Sequence, residues 1–459
     1  MWSGDEVRRR IAVVIRWWGC SSVALSMACG GNDPGQTGSG SNGETGVLSL
    51  GPMTASSGAQ DESADGGEKL DVNINDAGLG PGGDCPGGGG GMDGDVEFSL
   101  IWIANSPDGT VSKIDTTTGV ELARYYTGPT DGGDDPSRTS VNLAGDVAVT
   151  NRAGGITKIA AREGDCVDLN GNGTIETSSG PTDTLPFGTD ECVLWNVPLP
   201  SGETRQQGPR PTAWDAGESN NPCVPDDFRV WVGYFDRPAN QGHFFRLAGT
   251  DGEILDEAIA PGWDATGGTK TYGPYGGAVD IEGNFWTTGL RGPLVRIDGT
   301  TLDVQQWEFP SESESYGMTL DANGHPWTAG LGGDLTHFDP DSEIFEVFPV
   351  GNNALRGLQI DRNGQLWAAV NGQCGVAQFD VETRTIVNAN IPLPGCGTPV
   401  GVSIDVDGFV WIPDQGANLA FKLDPESYAT TTTTGLIAPY TYSDMTGAGL
   451  GLVFDPPIG

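Results

Sequence analysis

The stretch GPYGGAVDIEGNFWTTG (273–289) comes back three more times along the chain, and this repetition decides the fold. The later copies are ESYGMTLDANGHPWTAG (314–330), ALRGLQIDRNGQLWAAV (354–370) and TPVGVSIDVDGFVWIPD (398–414). Their tryptophans, spaced 41, 40 and 44 residues apart, are Trp286, Trp327, Trp367 and Trp411. A period of this length is typical of the blades of a β-propeller.

Each copy carries the pattern of an antiparallel sheet. Apolar and small residues alternate, a tight turn follows at Asp-x-x-Gly or Asn-Gly, and a strand led by tryptophan returns. About ten residues later comes a third strand that ends in aspartate: LVRID, LTHFD, VAQFD or AFKLD. A more variable fourth strand, such as FEVFPV (345–350), completes the unit. Such a sheet cannot bury both faces alone, so neighbouring copies must stack.

Weaker copies precede these four, with Trp102, Ala148 and Trp231 in the tryptophan position. The segment SLIWIANSPDGTVSKID (99–115) lacks a first strand, and YSDMTGAGLGLVFD (442–455) resembles a first strand with nothing after it. We therefore predict an all-β, seven-bladed β-propeller over residues 97–459, whose ring is closed by the C-terminal strand joining the N-terminal blade. Six or eight blades are the alternatives if a degenerate repeat is miscounted.

Residues 1–29 read as an export signal. Arg8, Arg9 and Arg10 precede an apolar stretch that ends at Cys29, and this arrangement resembles a bacterial lipoprotein signal in which Cys29 is lipidated. The alternatives are a misassigned start at Met1, use of Cys20, or simple cleavage. Residues 30–96 are rich in Gly, Ser and Asp, which predicts a disordered tether. We expect an exported protein in the bacterial cell envelope or secreted, touching a membrane only through a lipid anchor.

The charge balance limits the partners. Aspartate and glutamate outnumber lysine and arginine by 62 to 23, for a net charge of −39. Such a surface repels nucleic acid electrostatically. A monomer that binds a small molecule, a glycan or another protein is the expectation.

Export makes disulfides expected, because they form in oxidising compartments. Cys166 and Cys192 bracket an insertion at 160–193 in blade two, and Cys374 and Cys396 lie in loops on one face of blades six and seven. We predict both pairs to be bonded, and the sequence leaves the partners of Cys85 and Cys223 open. A zinc site is the rival use of cysteine, but the chain has no CxxC and has only His243, His325 and His337, for which packing roles are expected.

The insertion contains the start of a calcium loop. Oxygen-bearing residues at alternate positions, followed by a glycine that permits the bend, are characteristic of such loops. The candidate ligands are Asp168, Asn170, Asn172 and Thr174. Ser179 stands where a bidentate acid belongs, and the candidates for the missing carboxylate are Glu176, Asp183, Asp190 and Glu191. The alternative is an Asn/Gly-rich turn held at its base by the disulfide.

The repeat GxxxDxxGxxWxxx…φxxφD resembles that of the streptogramin (virginiamycin) B lyase group, and more loosely NHL-repeat and gluconolactonase-like propellers. The resemblance implies a propeller with a site at the mouth of its central channel. The lyases carry a histidine just before the first strand's glycine, a glutamate three residues after the tryptophan, and a bound magnesium. Neither acid/base residue stands at these positions here, which makes lyase activity an unfavoured reading.

Two rings of residues still mark the expected channel surface. The first ring carries Arg210, Tyr275, Tyr316 and Arg356, with Ser137, Val400 and Thr446 completing it. The second carries Asn105, Asn151, Tyr234 and Asp414, with Gly289, Gly330 and Val370. Guanidinium groups and aromatic faces suit a carboxylate, a phosphate or a sugar. The alternative is that these side chains merely fill the channel mouth.

We therefore expect a non-enzymatic ligand-binding or interaction module. The first alternative is a lyase-like carbon–oxygen lyase or hydrolase of altered mechanism, which uses Asp414 with Arg356 or Tyr316. The second is a scaffold whose insertion makes the functional contact.

Overall fold

The computed structural model describes residues 99–454, apart from 201–205, 218–227, 266–271, 291, 311–314 and 352–353. The predicted signal, the tether, Cys29, Cys85 and Cys223 lie outside the described residues. No helix within the described ranges is long and apolar enough to cross a membrane.

Seven antiparallel sheets follow one another along the chain, which confirms the seven-bladed propeller. The strands of blades one to three are β1 (Leu100–Asn105), β2 (Thr110–Asp115), β3 (Glu121–Tyr126), β4 (Pro136–Val141), β5 (Val147–Asn151), β6 (Ile156–Ile159), β7 (Val193–Val197), β8 (Thr212–Asp215), β9 (Arg229–Asp236), β10 (Gln241–Ala248) and β11 (Ile254–Pro261). Short 3₁₀ turns occupy Ser106–Asp108 and Glu163–Asp165.

Blades four to seven each keep four strands in chain order. These strands are β12 (Pro274–Val279), β13 (Phe285–Gly289), β14 (Leu294–Ile297), β15 (Val304–Trp307), β16 (Ser315–Leu320), β17 (Pro326–Gly330), β18 (Asp334–Asp339), β19 (Ile344–Pro349), β20 (Leu355–Ile360), β21 (Gln365–Val370), β22 (Gly375–Asp380), β23 (Thr385–Pro392), β24 (Ser403–Ile404), β25 (Val410–Asp414), β26 (Leu419–Leu423) and β27 (Thr430–Thr434).

Burial falls from the centre of the ring outwards. The first strands β12, β16 and β20 contact one another in sequence around the channel. The second strands, which carry the repeat tryptophans, are fully or almost fully buried, whereas the fourth strands alternate exposed and half-buried residues. Apolar area is therefore buried mainly between adjacent blades, as stacking of incomplete units requires.

An aspartate fixes the first turn in each of blades four to seven. One carboxylate oxygen accepts the indole N–H of the blade's tryptophan at 2.8–3.1 Å, and the other accepts a backbone N–H inside the turn at 2.8–3.0 Å. These aspartates are Asp280, Asp321, Asp361 and Asp405. The repeat's Asp-x-x-Gly and its tryptophan therefore form one buried hydrogen-bonded unit.

The ring closes through the C-terminal part of the chain, as the sequence predicts, but the closing segment starts three residues earlier and uses only the first four residues of the predicted strand. The segment 439–445 runs beside β1: Asn105 bridges to Pro439, the Tyr440 N–H donates to the Ala104 carbonyl, and the Trp102 N–H donates to the Met445 carbonyl. Residues Ala448–Phe454 form a helix, α1, where the sequence predicts a strand. The match of GLVFD to the repeat is therefore a coincidence of composition.

Helix α1 lies against the end of the channel opposite the ring of Tyr275 and Tyr316. Its Leu450 and Val453 border a small cavity that is lined by the far ends of the first strands, including Val279, Leu320 and Gln359. Leu450, Leu452 and Val453 are buried. The helix therefore covers this end of the channel.

Both expected disulfides are present, Cys166–Cys192 with Cα atoms 4.4 Å apart and Cys374–Cys396 with Cα atoms 5.7 Å apart. Each closes a loop of 22–26 residues, for which chain-entropy arguments give a stabilisation of about 3 kcal/mol. Disulfides of this kind indicate an oxidising, extracytoplasmic compartment.

The blade-two insertion packs on the outer strand of blade one. Gly180 bridges to Ala123 of β3, its N–H donates to the Leu122 carbonyl at 2.6 Å, and the Phe187 N–H donates to the Asp131 carboxylate. Tyr125 lies in the shared core, where burial raises its pKa to about 12. The insertion covers an outer strand edge that would otherwise be open to pairing with another chain.

We expect Asp361→Ala to lower the free energy of unfolding by about 3 kcal/mol, because it leaves the Trp367 indole and two turn N–H groups without their acceptor. Chemical denaturation measures this loss. Glu382→Ala, an exposed change in the same blade, is the control. An Asp361→Ala protein as stable as the control would contradict the role given to the turn aspartate.

Candidate functional site in the central channel

Residues from four blades meet at the start of the first strands. Tyr275 of blade four, Tyr316 of blade five, Val400 of blade seven and Tyr440 of the closing segment pack in one buried cluster with Tyr442. Residues of non-adjacent blades can touch only near the ring axis, so this cluster plugs one mouth of the channel. We call it the tyrosine cluster.

A β-bulge places the ring residues. In blades two, four and five, one residue between the first two paired positions of the first strand has no partner, and these residues are Ser137, Tyr275 and Tyr316. A bulge bends its strand and redirects the extra side chain. The first ring expected from the sequence therefore has a local structural cause.

Tyr442 is the centre of the tyrosine cluster. Its ring stacks on Tyr275 with centroids 5.6 Å apart and lies 4.9 Å from Tyr316 and 5.0 Å from Tyr440. The hydroxyls of Tyr316 and Tyr440 lie 2.5 Å apart and share a hydrogen bond. The mouth is thus an aromatic surface with hydroxyl groups inside it.

Four guanidinium groups cover the ring faces. The shortest distance from a guanidinium carbon Cζ to a ring centroid is 3.3 Å, between Arg138 and Tyr442. The same distance is 4.9 Å for Arg210 over Tyr275, 4.8 Å for Arg356 over Tyr316 and 4.8 Å for Arg152 over Tyr440. Cation–π attraction holds such pairs, and it strengthens when the groups are shielded from water. The result is a concentration of positive charge in an acidic chain.

Two of these arginines lack a carboxylate partner in the described part of the chain. Arg138 is 1% exposed; its Nη1 donates to the Tyr442 carbonyl at 2.8 Å, but its Nε and Nη2 have no hydrogen-bond partner. Arg356 donates from Nη1 to the Tyr316 hydroxyl at 2.9 Å, and its Nε is also without a partner. Arg152, by contrast, pairs with Asp135.

The phenols respond in opposite directions to this field. Burial and the neighbouring phenols raise the pKa of Tyr316, Tyr440 and Tyr442 well above the usual value. Burial acts in the same direction on Tyr275, but the Arg210 guanidinium and adjacent polar groups overcome it and bring its pKa to about 8. Tyr275 is therefore the phenol of the cluster that ionises most easily.

The structure does not bring the expected second ring into this site. Asn105 and Asn151 are fully buried. The Asn105 amide donates to the Ser112 hydroxyl and accepts the Ile437 N–H, and the Asn151 amide accepts the Thr127 hydroxyl. Asp414 accepts the backbone N–H groups of Gly397, Thr398 and Ala417. The polar atoms of these three residues hold neighbouring loops and strands, and none of the three belongs to the tyrosine cluster.

Tyr234 of the second ring also lies elsewhere. Its ring stacks on His243 at 5.1 Å and on Phe245 at 6.1 Å, both of which are on the adjacent strand β10. It forms part of the blade-three sheet surface rather than the tyrosine cluster.

Sequence reasoning missed Arg138, Tyr440 and Tyr442. Thr446, assigned by alignment to blade one's place in the first ring, instead bonds to Ser403 and the Ile404 carbonyl. Tyr440 occupies that place, because it follows Pro439 as Tyr275 follows Pro274. The recurring proline–ring residue pair was the signal that could have found it.

The segment predicted as a calcium loop forms a turn that is held by side-chain hydrogen bonds. The Asp168 carboxylate accepts the N–H groups of Gly171 and Gly173 at 2.6 and 2.8 Å, and these bonds lower its pKa. Glu176 reaches the amides of Asn170 and Asn172 at 2.5 and 2.6 Å.

The other candidate acids of the insertion are engaged elsewhere. Asp183 bonds to Ser179, Asp190 to Thr177 and Ser178, and Glu191 to backbone N–H groups at the base of the loop. Of the four acids considered, only Glu176 bonds to the side chains of the candidate ligands, whereas Glu191 accepts the backbone N–H groups of Leu169 and Asn170.

No known family model matches the chain, and no curated protein matches it. Among solved structures it is similar to the virginiamycin B lyase of Staphylococcus aureus, with 17% identity over 67% of this chain and 87% of that one, at a TM-score of 0.45. A streptogramin B lyase structure is 14% identical over 68% of this chain and 87% of that one, with a TM-score of 0.47. A protein from Lactobacillus plantarum is 11% identical over 74% of this chain and 97% of that one, with a TM-score of 0.49. The lyases are thus among its structural neighbours, as the repeat predicts, and the likeness concerns the fold alone.

We expect one of the nine tyrosines to ionise near pH 8, and Tyr275→Phe to remove that step. Phenolate absorbance during a pH titration of the folded protein measures it. A native pKa below the unfolded value means that the native state loses its proton first, so this group adds stability as pH rises from about 8 towards 10. An unchanged titration in Tyr275→Phe would contradict the assignment.

Proposed function

We propose that the protein is a non-enzymatic binding module and that the mouth of its channel takes an anionic group, a carboxylate or a phosphate, of a small molecule, a glycan or a protein. Consistent with its disulfides, we propose that it acts outside the cytoplasm as a lipid-anchored or secreted monomer.

The observation that carries this proposal is the buried Arg138. Its guanidinium is almost fully buried, and Nε and Nη2 have no hydrogen-bond partner among the described residues. Burial of a charged group in this state costs folding free energy unless another interaction compensates it. Stacking on Tyr442 offsets part of this cost but forms no hydrogen bond with Nε or Nη2. An anion at the mouth would supply the missing acceptor or the missing charge.

Arg356 offers the accessible approach, because it is half-buried whereas Arg138 is enclosed. Guanidinium groups bind carboxylate and phosphate oxygens with paired hydrogen bonds. The surrounding tyrosine rings reduce the local dielectric, so the buried charge of Arg138 adds to the attraction. The acidic remainder of the surface would keep anions away from other sites.

The lyase or hydrolase alternative finds less support. It depends on Asp414 as a base with Arg356 or Tyr316, and both carboxylate oxygens of Asp414 already accept backbone N–H groups. A base must reach the proton that it removes. We therefore propose a binding function rather than a catalytic one.

Calcium is proposed as a structural ion in the insertion, held by Asp168, Asn170, Asn172, Glu176 and the Thr174 carbonyl. Oxygen ligands at alternate positions suit this ion. A bound ion would rigidify the segment that covers blade one. In the scaffold alternative, this insertion would be the part that meets a partner.

We expect phosphate or a sugar acid such as glucuronate to raise the unfolding midpoint at constant ionic strength, whereas glucose does not. An anion at one hundred times its dissociation constant adds about 2.7 kcal/mol. Arg356→Gln should remove the shift because it deletes the accessible cation. Arg296→Gln is the matched control, since that guanidinium lies over Trp286 outside the tyrosine cluster. Equal shifts in both variants, or none in the unmodified protein, would overturn the proposal.

Calcium should raise the midpoint in a separate titration after EDTA treatment, and Asp168→Asn should abolish the rise. Asp183→Asn, which changes an acid bonded only to Ser179 nearby, should leave it intact. A calcium response that survives in Asp168→Asn would place the ion elsewhere.

A further inference from the structure

Two histidines and an aspartate meet at the end of blade five away from the tyrosine cluster. Asp321 and His325 lie in the turn between β16 and β17, and His337 lies on β18 opposite Trp327. Each offers one ligand atom, and these atoms lie within 4.8 Å of one another. The two imidazole centroids are 5.5 Å apart.

Other blades show what normally fills this place. In blade seven the equivalent of His337 is Lys422, which pairs with Asp405 at 3.2 Å and lies 4.0 Å from the Phe409 ring. In blade six the two positions hold Gln365 and Gln378, which bond to each other at 3.1 Å. Blade five instead has imidazoles at both positions, and its turn aspartate, Asp321, accepts two backbone N–H groups and the Trp327 indole N–H.

The inner nitrogen of His337 lacks a hydrogen bond. His337 is 2% exposed, and its Nε2 has no hydrogen-bond partner among the described residues, while the nearest carboxylate oxygen, Oδ2 of Asp321, is 3.9 Å away. A buried polar atom in this state needs a partner. The gap between Nε2 and Oδ2 is too long for a hydrogen bond and about half an ångström wider than the separation of two atoms bound to one zinc ion.

The outer nitrogen of His337 is already oriented. Nδ1 lies 3.2 Å from Oε2 of Glu346 and 3.1 Å from Nη1 of Arg384, and the latter two groups also form an ion pair with each other. A carboxylate on the far nitrogen is the usual outer support of a metal-bound histidine. Burial and the Arg384 charge lower the pKa of His337.

We infer that Asp321, His325 and His337 form a binding site for a divalent transition-metal ion, with Zn²⁺ as the best match. Two imidazoles and one carboxylate are a common ligand set for zinc, and a fourth position stays open for water or an external ligand. Zinc-bound atoms lie roughly 3.3 Å apart at bond lengths of about 2.1 Å. Binding therefore requires the Asp321 and His337 side chains to approach each other by about half an ångström, while His325, which is half-buried in an exposed turn, moves in to complete the site.

This site is independent of the channel and of the calcium loop. It requires neither the tyrosine cluster nor the insertion, because its ligands come from the first turn and the third strand of blade five alone. A bound ion would tie that turn to β18, as Lys422 ties the corresponding turn of blade seven.

The test is a Co²⁺ and Zn²⁺ titration of the metal-free, tag-free protein. We expect one equivalent of Co²⁺ to give the visible absorption of tetrahedral nitrogen and oxygen coordination, and Zn²⁺ to displace it. His325→Ala should abolish the signal, and the double change His325→Gln with His337→Gln should abolish it while restoring the pair found in blade six. Glu346→Gln should weaken binding by about tenfold, the range for an outer support.

Two controls separate this site from others. His243→Ala removes the third histidine and should leave the titration unchanged, as should Asp168→Asn. If His325→Ala binds as tightly as the unmodified protein, if only Asp168→Asn loses the metal, or if the unmodified protein binds no Co²⁺ or Zn²⁺, the inference is overturned. Circular dichroism of each variant confirms that loss of binding is not loss of fold.

Discussion

Four of the seven blades depend on one buried hydrogen bond, from the indole of the blade's tryptophan to the carboxylate of the turn that precedes it. In blades four to seven the same carboxylate also accepts backbone N–H groups of the turn, so it fixes the hairpin and the tryptophan together. The tryptophan then fills the space between sheets, where all four are buried. A charged acceptor in that position can satisfy several donors that water cannot reach.

Positive charge is placed sparingly around this unit. Five blades put a lysine or arginine directly across from the tryptophan position, and the residues concerned are Lys113, Lys158, Arg246, Arg296 and Lys422. Blade five is the blade with histidine there. With only 23 basic residues against 62 acidic ones, the chain uses many of its cations beneath the surface, beside tryptophans or in the tyrosine cluster. The exposed surface is therefore more acidic than the composition alone conveys.

The sequence predicted the fold well because repetition multiplies a weak local signal. Any one Asp-x-x-Gly and tryptophan could occur by chance, but four at a constant period could not. Counting back from the tryptophan also located Tyr275, Tyr316 and Arg356 correctly in the structure's channel mouth. Counting back could not be applied to the closing segment, because no tryptophan follows it in the chain, and Tyr440 was therefore not identified.

The differences between the predicted rings and the tyrosine cluster have physical causes. The repeat places three residues on the channel side of their blades: Asn105, Asn151 and Asp414. Their position in the repeat does not show that their side-chain oxygens accept hydrogen bonds from other parts of the protein. Arg138 was missed because it follows a bulged residue, and a bulge alters which side chains face the axis. Asn105 and Arg138 also bond to segments 332 and 304 residues away along the chain, and the repeat pattern encodes neither contact.

The pairing of β1 with residues 439–445 also limits the order in which parts of the protein can fold. Ala104 and Thr441, joined by a hydrogen bond, are 337 residues apart along the chain. Blades built from consecutive strands can form early from local contacts, whereas this contact requires closure of nearly the whole chain. Until then β1 has an unpaired edge and the tyrosine cluster lacks Tyr440 and Tyr442. Completion of the ring and completion of the channel mouth are therefore a single, late kinetic event.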